Sequence, residues 1–246
     1  MRSERPSIVA TIAAFVAGAG AVVAAIGIVL AHFGVAAPFT GFRTFLLGGL
    51  GALGGFLISG IGLFATRGGR PGRDRAWFGL AAGLFVVAAI FAGASRGRGL
   101  PRINDITTSP DDPPQLEAAA RQDPNRGRDM AYPASFAAQQ RAAYPDLAPI
   151  ALDLPPVDAF ERARRAAESL GWQIALSDPA RGLIEARQTS WLFRFVDDIA
   201  IRVRAHGAGS LIDVRSKSRN GQGDLGANAQ RIRAFAAELK AAGANG

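Results

Sequence analysis

Three apolar segments in the first 95 residues limit what this chain can fold into more than anything else in it. They run over residues 8–32, 42–65 and 77–94, and each nears or exceeds the roughly 18 to 20 residues a helix needs to cross about 30 Å of hydrocarbon. A chain inside a bilayer must satisfy its own N–H and C=O groups, so these segments are expected as transmembrane helices. Between them lie a Pro-containing turn at residues 34–41 and a loop carrying Arg67, Arg70, Arg73 and Arg75, where Gly and Pro break the helix. The first segment is longer than the apolar core of a cleaved signal peptide, about 7 to 15 residues, and two more spans follow it.

Composition divides at the same boundary. Residues 1–95 hold 7 of the 28 basic side chains and 2 of the 20 acidic ones, so residues 96–246 are the polar part. The net charge of +8 is spread over short loops and among carboxylates rather than gathered on one face, and nucleic acid is not an expected partner. Arginine outnumbers lysine 26 to 2, which with the abundance of Ala and Gly reads as coding bias. Zero cysteines exclude disulfides, thiol nucleophiles and cysteine-ligated metals. The two histidines, His32 and His206, lie far apart in sequence, so no metal or other cofactor is expected.

Counting arginines beside the spans sets the expected orientation. Arg2, Arg5 and the four loop arginines stand against Arg43, Arg96, Arg98 and Arg102, which favours a cytoplasmic N-terminus. Three spans then carry the polar part across a bacterial inner (plasma) membrane into the periplasm. The second span places Gly51, Gly55 and Ser59 in small-xxx-small register, which serves packing within the chain or a homo-oligomer.

Residues 96–146 are rich in Pro, Asp, Asn and Gln, without sustained periodicity, and read as a linker or wrapping segment. Residues 147–246 carry the signals of a compact domain. A strand near 148–154 precedes a helix opened by Pro155 and Pro156, with Val157, Phe160, Ala163, Ala167 and Leu170 at helical spacing. Strands follow near 172–176, 183–188, 193–203 and 211–216. A last helix starts after Asp224, a good N-cap, with Leu225, Ile232, Phe235, Ala236 and Leu239 on one stripe. The expected fold class is α+β: three transmembrane helices, then a two-layer domain of about five antiparallel strands with two helices on one face, in the order β-α-β-β-β-β-α.

The densest polar stretch is residues 215–233. Arg215, Lys217 and Arg219 alternate along a strand end, a Gly221-Gln222-Gly223 turn follows, and Asp224, Asn228 and Arg231 share one helix face. Glycines beside cations at a helix start suit an anion, although Asp224 at the cap competes for the same N–H donors. The same helix face also suits the segment at Asn104 and Asp105. Asp197 and Asp198, adjacent in a strand, point to opposite faces and do not form a facing acid and base; pairing with Arg194, Arg202 or Arg215 is their structural reading. His206 reads as a surface residue, and Trp172 and Trp191 as core or rim.

These residues also carry a resemblance. Asn104-Asp105-Ile106-Thr107-Thr108, residues 110–114 (PDDPP), Gly171-Trp172, Glu185-Ala186, residues 195–198 (FVDD), residues 215–219 (RSKSR), and then Gly221, Asp224, Gly226, Asn228, Ala229, Arg231 and Ile232 resemble the domain of unknown function family numbered 1499, over about residues 100–240. The resemblance implies an envelope or organelle-membrane domain and supplies no catalytic residues. The expected function is a non-catalytic membrane protein whose polar domain binds an envelope protein or an anionic lipid or glycan. The alternative is a membrane-bound hydrolase or transferase using Asp197 or Asp198 with the turn at residues 215–224.

Overall fold

The structure, a computed structural model, describes residues 5–244. The chain divides into two compact units, Met1–Arg96 with Trp191–Arg194, and Gly97–Ser190 with Phe195–Gly246.

The first unit is built on α1 (Ile8–His32), α2 (Pro38–Ala65) and α3 (Arg73–Ser95), all three long and apolar enough to cross a membrane. The second and third start about one turn before the apolar runs do. Pro38 brings a φ already suited to a first helical turn, and Gly72, at φ 102°, releases the chain into α3 with Asp74 facing its positive end.

Helices α1 and α2 pack antiparallel along a seam of small residues. Ala10, Ala17, Ala24 and Ala31 recur every seven residues on one, and Gly41, Gly48, Gly55 and Gly62 on the other. The pairs meet in order: a Cβ added to Gly48 would lie 2.2 Å from Ala24 N, one on Gly55 2.3 Å from Ala17 N, one on Gly41 2.5 Å from Ala31 Cβ and one on Gly62 3.2 Å from Ala10 Cα. Backbones this close leave no room for side chains, and the seven-residue spacing keeps the seam aligned. The third helix enters by the same device, with Gly79 against Ser59 and Gly83 against Ala52 and Phe56. Large apolar side chains such as Phe15, Leu50, Ile61 and Phe85 point outward and are exposed, the reverse of a water-soluble bundle.

In the second unit the elements follow as β1 (Asp105–Thr107), α4 (Glu117–Ala120), α5 (Phe136–Ala143), β2 (Ile150–Leu152), α6 (Pro156–Ser169), β3 (Gln173–Asp178), β4 (Leu183–Thr189), β5 (Val196–His206), β6 (Gly209–Ser218) and α7 (Ala227–Ala244). One antiparallel sheet runs β1-β6-β5-β4-β3, and β2 pairs with the other end of β6, so two short strands share that long edge. Gly182, at φ 62°, makes the β4 turn against Val203 O, where a Cβ would sit 2.3 Å from the oxygen.

One sheet face is apolar. Ile184, Ile199, Ile201, Ile212 and Val214 meet Phe160 and Ala163 of α6 and Ile232, Phe235 and Leu239 of α7, while Trp172 stacks on Phe235 at 5.3 Å. The opposite face carries Glu185, Asp198, Asp213, Arg215 and Lys217, all buried, and the chain between β1 and α5 lies over it with Leu116, Ala119 and Met130 grouped near Ala200.

The α+β class and the order of the longer elements are as expected, although the strand expected near 193–203 runs Val196–His206 with residues 193–195 in the turn before it, and there are three further differences. The sheet has six strands rather than five, because Asp105–Thr107 adds an edge. Val157 is 73% exposed, since the buried stripe of α6 runs through Ala159, Phe160, Ala163, Ala166 and Ala167. Leu225 is exposed and left-handed (φ 54°), belonging to the turn before α7 rather than to its stripe.

The seam makes a direct prediction. Gly48→Ala or Gly55→Ala should lower stability by about 1–3 kcal/mol through overpacking. Gly54→Ala and Gly60→Ala, which meet nothing within 4 Å, should leave it unchanged. Thermal unfolding of the full chain in detergent micelles measures the contrast, and equal losses at all four positions would contradict the seam.

Candidate functional site

The expected site residues converge on the end of β6 and the glycine-rich turn after it, but they divide between the two faces of the sheet. A strand alternates its side chains, so Arg215, Lys217 and Asp198 fall under the wrapping chain while Ser216, Ser218 and Asp197 face α7.

Beneath the wrapping chain, Asp105 and Arg215 form a fork-to-fork pair: Arg215 Nε donates to Asp105 Oδ1 at 2.9 Å and Nη2 to Oδ2 at 2.8 Å. Lys217 Nζ donates to the same Oδ2 at 2.9 Å. The remaining Arg215 donors reach Pro114 O at 3.1 Å and Met130 O at 2.7 Å, and its guanidinium lies 5.8 Å from the centre of the Tyr132 ring. Both Asp105 and Arg215 are 0% exposed. Beside them Arg219 donates to both oxygens of Asp198, at 2.8 and 2.5 Å, and to Gln122, while Asn125 Nδ2 donates to Asp198 and to Ala119 O.

On the helix side Arg231 spans the gap between α7 and the sheet. It donates to Asp197 Oδ2 (2.6 Å), Ser216 Oγ (2.9 Å), Asn228 Oδ1 (2.5 Å) and Gln188 Oε1 (2.6 Å). Asn228 Nδ2 donates to Ser218 Oγ and Asn104 O, and Asn104 Nδ2 donates to Gly221 O at 2.6 Å, which pins the turn. Asp224 accepts from Gly226 N and Asn228 N, both at 2.9 Å, so the carboxylate itself occupies the donors at the start of α7. Burial pushes that carboxyl above its ordinary range, partly offset by the two N–H donors.

Asp197 and Asp198 therefore take Arg231 and Arg219 as partners, rather than Arg194, Arg202 or Arg215. Arg202 and Arg204 instead share Asp213 Oδ2, and Arg202 reaches on to Asp112. The two aspartates stand back to back across the sheet, and the two serines face Asn228 and Arg231. Of the groups the hydrolase alternative names, Asp197 and Ser216 meet on the helix side through the Arg231 guanidinium, while Asp198 and Arg215 lie on the opposite face of the sheet.

Two side chains that hold the wrapping chain and the β1 edge have no such role assigned from the sequence. Glu185 lies under the wrapping chain and accepts from Ala118 N (2.7 Å) and Ala119 N (2.9 Å), with burial pushing its carboxyl up. Gln140 acts as a one-residue strand. Its Oε1 accepts from Thr107 N at 2.9 Å and its Nε2 donates to Thr107 O at 2.6 Å, closing the open edge of β1. A lone Gln or Glu in sequence does not reveal such a partner.

Solvent reaches the region on the outer side of the turn. Gly97, Leu100, Pro101, Arg102, Gln222, Gly223 and Leu225 line a cleft of about 260 Å³ there. Among the described residues no group of three His, Cys, Asp or Glu is placed to hold a metal ion.

A family model described as "Protein of unknown function (DUF1499)" matches residues 105–239, which takes in the sheet, α6, the wrapping chain and α7 as far as Leu239. No curated protein matches the chain.

The chain has two tyrosines, and burial raises both: Tyr132, whose hydroxyl donates to Gln140, is pushed up to about 12, and Tyr144 is raised by burial too. The neutral phenol is the form the fold favours, so its contribution is complete below pH about 10 and is lost as pH climbs from 10 toward 12. Phenolate absorbance of the folded chain should therefore rise well above the pH at which the denatured chain titrates. Coincident titrations would contradict the burial of these rings.

Proposed function

The chain belongs to the DUF1499 family, and from that premise we propose that it is a non-catalytic, membrane-anchored binding protein of the cell envelope. The observation that carries this reading is the use already made of the polar residues. Asp105, Asp197, Asp198, Arg215, Arg219 and Arg231 are each committed to a partner inside the domain. Held this way they fix the glycine-rich turn from behind, while its outer side stays open to solvent. Separating a buried charge from its partner costs about 3–5 kcal/mol, so these groups serve as supports rather than as reactive groups.

The recognition surface is the cleft beside that turn. Arg102 supplies a cation, Gln222 an amide, and Leu100 and Leu225 an apolar wall. Leu225 is 55% exposed in a strained backbone conformation, the sort of outlier that persists where a surface is presented for contact. Such a surface suits a protein segment, or an anionic lipid or glycan group with an apolar neighbour. The six arginines at the N-terminus and in the second loop, against four beside the other span ends, support a bacterial inner membrane with the domain in the periplasm.

A photoactivatable residue at Gln222, in the full-length chain in intact cells, tests both parts. The expected result is an adduct with an envelope component that Arg102→Glu or Leu225→Asp reduces at least about tenfold, equivalent to about 1.4 kcal/mol, with unchanged thermal unfolding. An adduct with a cytoplasmic protein would contradict the periplasmic placement. An adduct insensitive to both substitutions, or none, would contradict the cleft.

A further inference from the structure

The connection between β4 and β5 has the wrong chemistry for a hairpin turn in water. Such turns ordinarily carry Gly, Asn, Asp or Pro, yet residues 190–195 read Ser-Trp-Leu-Phe-Arg-Phe. The loop is closed at its base, where Ser190 N donates to Phe195 O at 2.7 Å and Phe195 N donates to Ser190 Oγ at 2.9 Å. Its tip holds Arg194 at φ 57°, a left-handed conformation that a long side chain rarely adopts. A protein accepts that strain where the surroundings over-determine it.

Those surroundings are the membrane-type helices. The four residues Trp191–Arg194 belong to the helical unit. Phe193 is 8% exposed, edge-on to Phe42 at 5.2 Å and tilted against Phe45 at 5.4 Å. His32 Nδ1 donates to Trp191 O at 2.9 Å, and the two rings meet at 5.2 Å. His32 ends α1 and Pro38 starts α2, so Phe42 lies only about 6 Å and Phe45 about 10 Å along α2 from its first residue. That depth is the boundary between headgroups and hydrocarbon in a helix that spans. Trp191 and Leu192 nonetheless remain 77% and 37% exposed, and Arg194 is exposed beside them.

An exposed Trp and Leu, an interfacial His and an exposed cation at the end of apolar helices form the side-chain set that partitions into the headgroup region. We propose that Trp191, Leu192 and Arg194 form a lipid-facing anchor, with the indole among the headgroups and Arg194 toward lipid phosphate. The β4–β5 tip is thus a fourth membrane-contacting element, contributed from a sequence position about 95 residues beyond the end of α3. Neither hydropathy nor helix length reveals it, because it does not cross.

The test reads Trp191 fluorescence in the full chain reconstituted into phosphatidylcholine bilayers. Trp77→Phe with Trp172→Phe leaves Trp191 as the single indole. Because Trp172 stacks in the domain core, the emission difference between the native chain and Trp191→Phe provides the same reading without touching the core. The expected result is a loss of Trp191 emission with lipids brominated near the headgroup, a smaller loss with bromines at the chain ends, and protection from aqueous iodide. Quenching by iodide with no effect of either brominated lipid would put the tip in water and overturn the proposal. Stronger quenching from the chain ends, or quenching by none of the three, would overturn it as well, the latter by showing the indole covered by protein.

Discussion

A guanidinium with no exposed surface is tolerated only if its donors are matched, and in this protein that requirement organises half of the domain. Arg215 has four of its donor contacts satisfied by three separate pieces of chain: the carboxylate of Asp105 in the edge strand, the carbonyl of Pro114 and the carbonyl of Met130. The polar chain between β1 and α5 has too little apolar surface to fold on its own. It is held because leaving it would strand Arg215, Lys217, Asp198 and Glu185 against an uncovered sheet. The sheet is consequently covered on both faces by different physics: by aliphatic packing under α6 and α7, and by ion pairs and carbonyls under the wrapping chain.

The membrane unit answers to another constraint. Lipid offers helices no hydrophobic reason to associate, so cohesion comes from close contact. The heptad of alanines on α1 against the heptad of glycines on α2 supplies it, and the bulky side chains that a soluble bundle would hide are turned outward. The bundle thus reverses the usual inside and outside, with phenylalanine and leucine outward, and the domain buries charge on one face of its sheet while keeping an aliphatic core on the other.

This explains what the sequence makes legible. The length of the apolar runs finds α1, α2 and α3, periodicity of about 3.6 finds α6 and α7, and period 2 finds β3 to β6, since these elements are long enough to show it. Asp105–Thr107 escapes because three residues have no period and its partner Arg215 is 110 residues away. The glycine seam is visible as a stripe, but its partner helix is not. The cluster around Arg215, Asp224 and Arg231 is legible as a concentration of polar residues. Whether such a group faces solvent or an ion pair depends on which chain lies over it, and the wrapping segment carries no sign of that destination. Trp191 looks like a core residue by type, and only its place among the helices marks it otherwise.

The central claim is that the Asp105–Arg215 pair is a support of the fold. A double-mutant cycle on the full chain in detergent, with Asp105→Ala, Arg215→Met and both together, followed by thermal unfolding, tests it most directly. Asp105→Ala is expected to cost about 3–5 kcal/mol by stranding Arg215 and Lys217, Arg215→Met to cost less because Lys217 still pairs with Asp105, and the two losses to be non-additive in the double variant. Single substitutions within about 0.5 kcal/mol of the native chain, additive in the double variant, would contradict it.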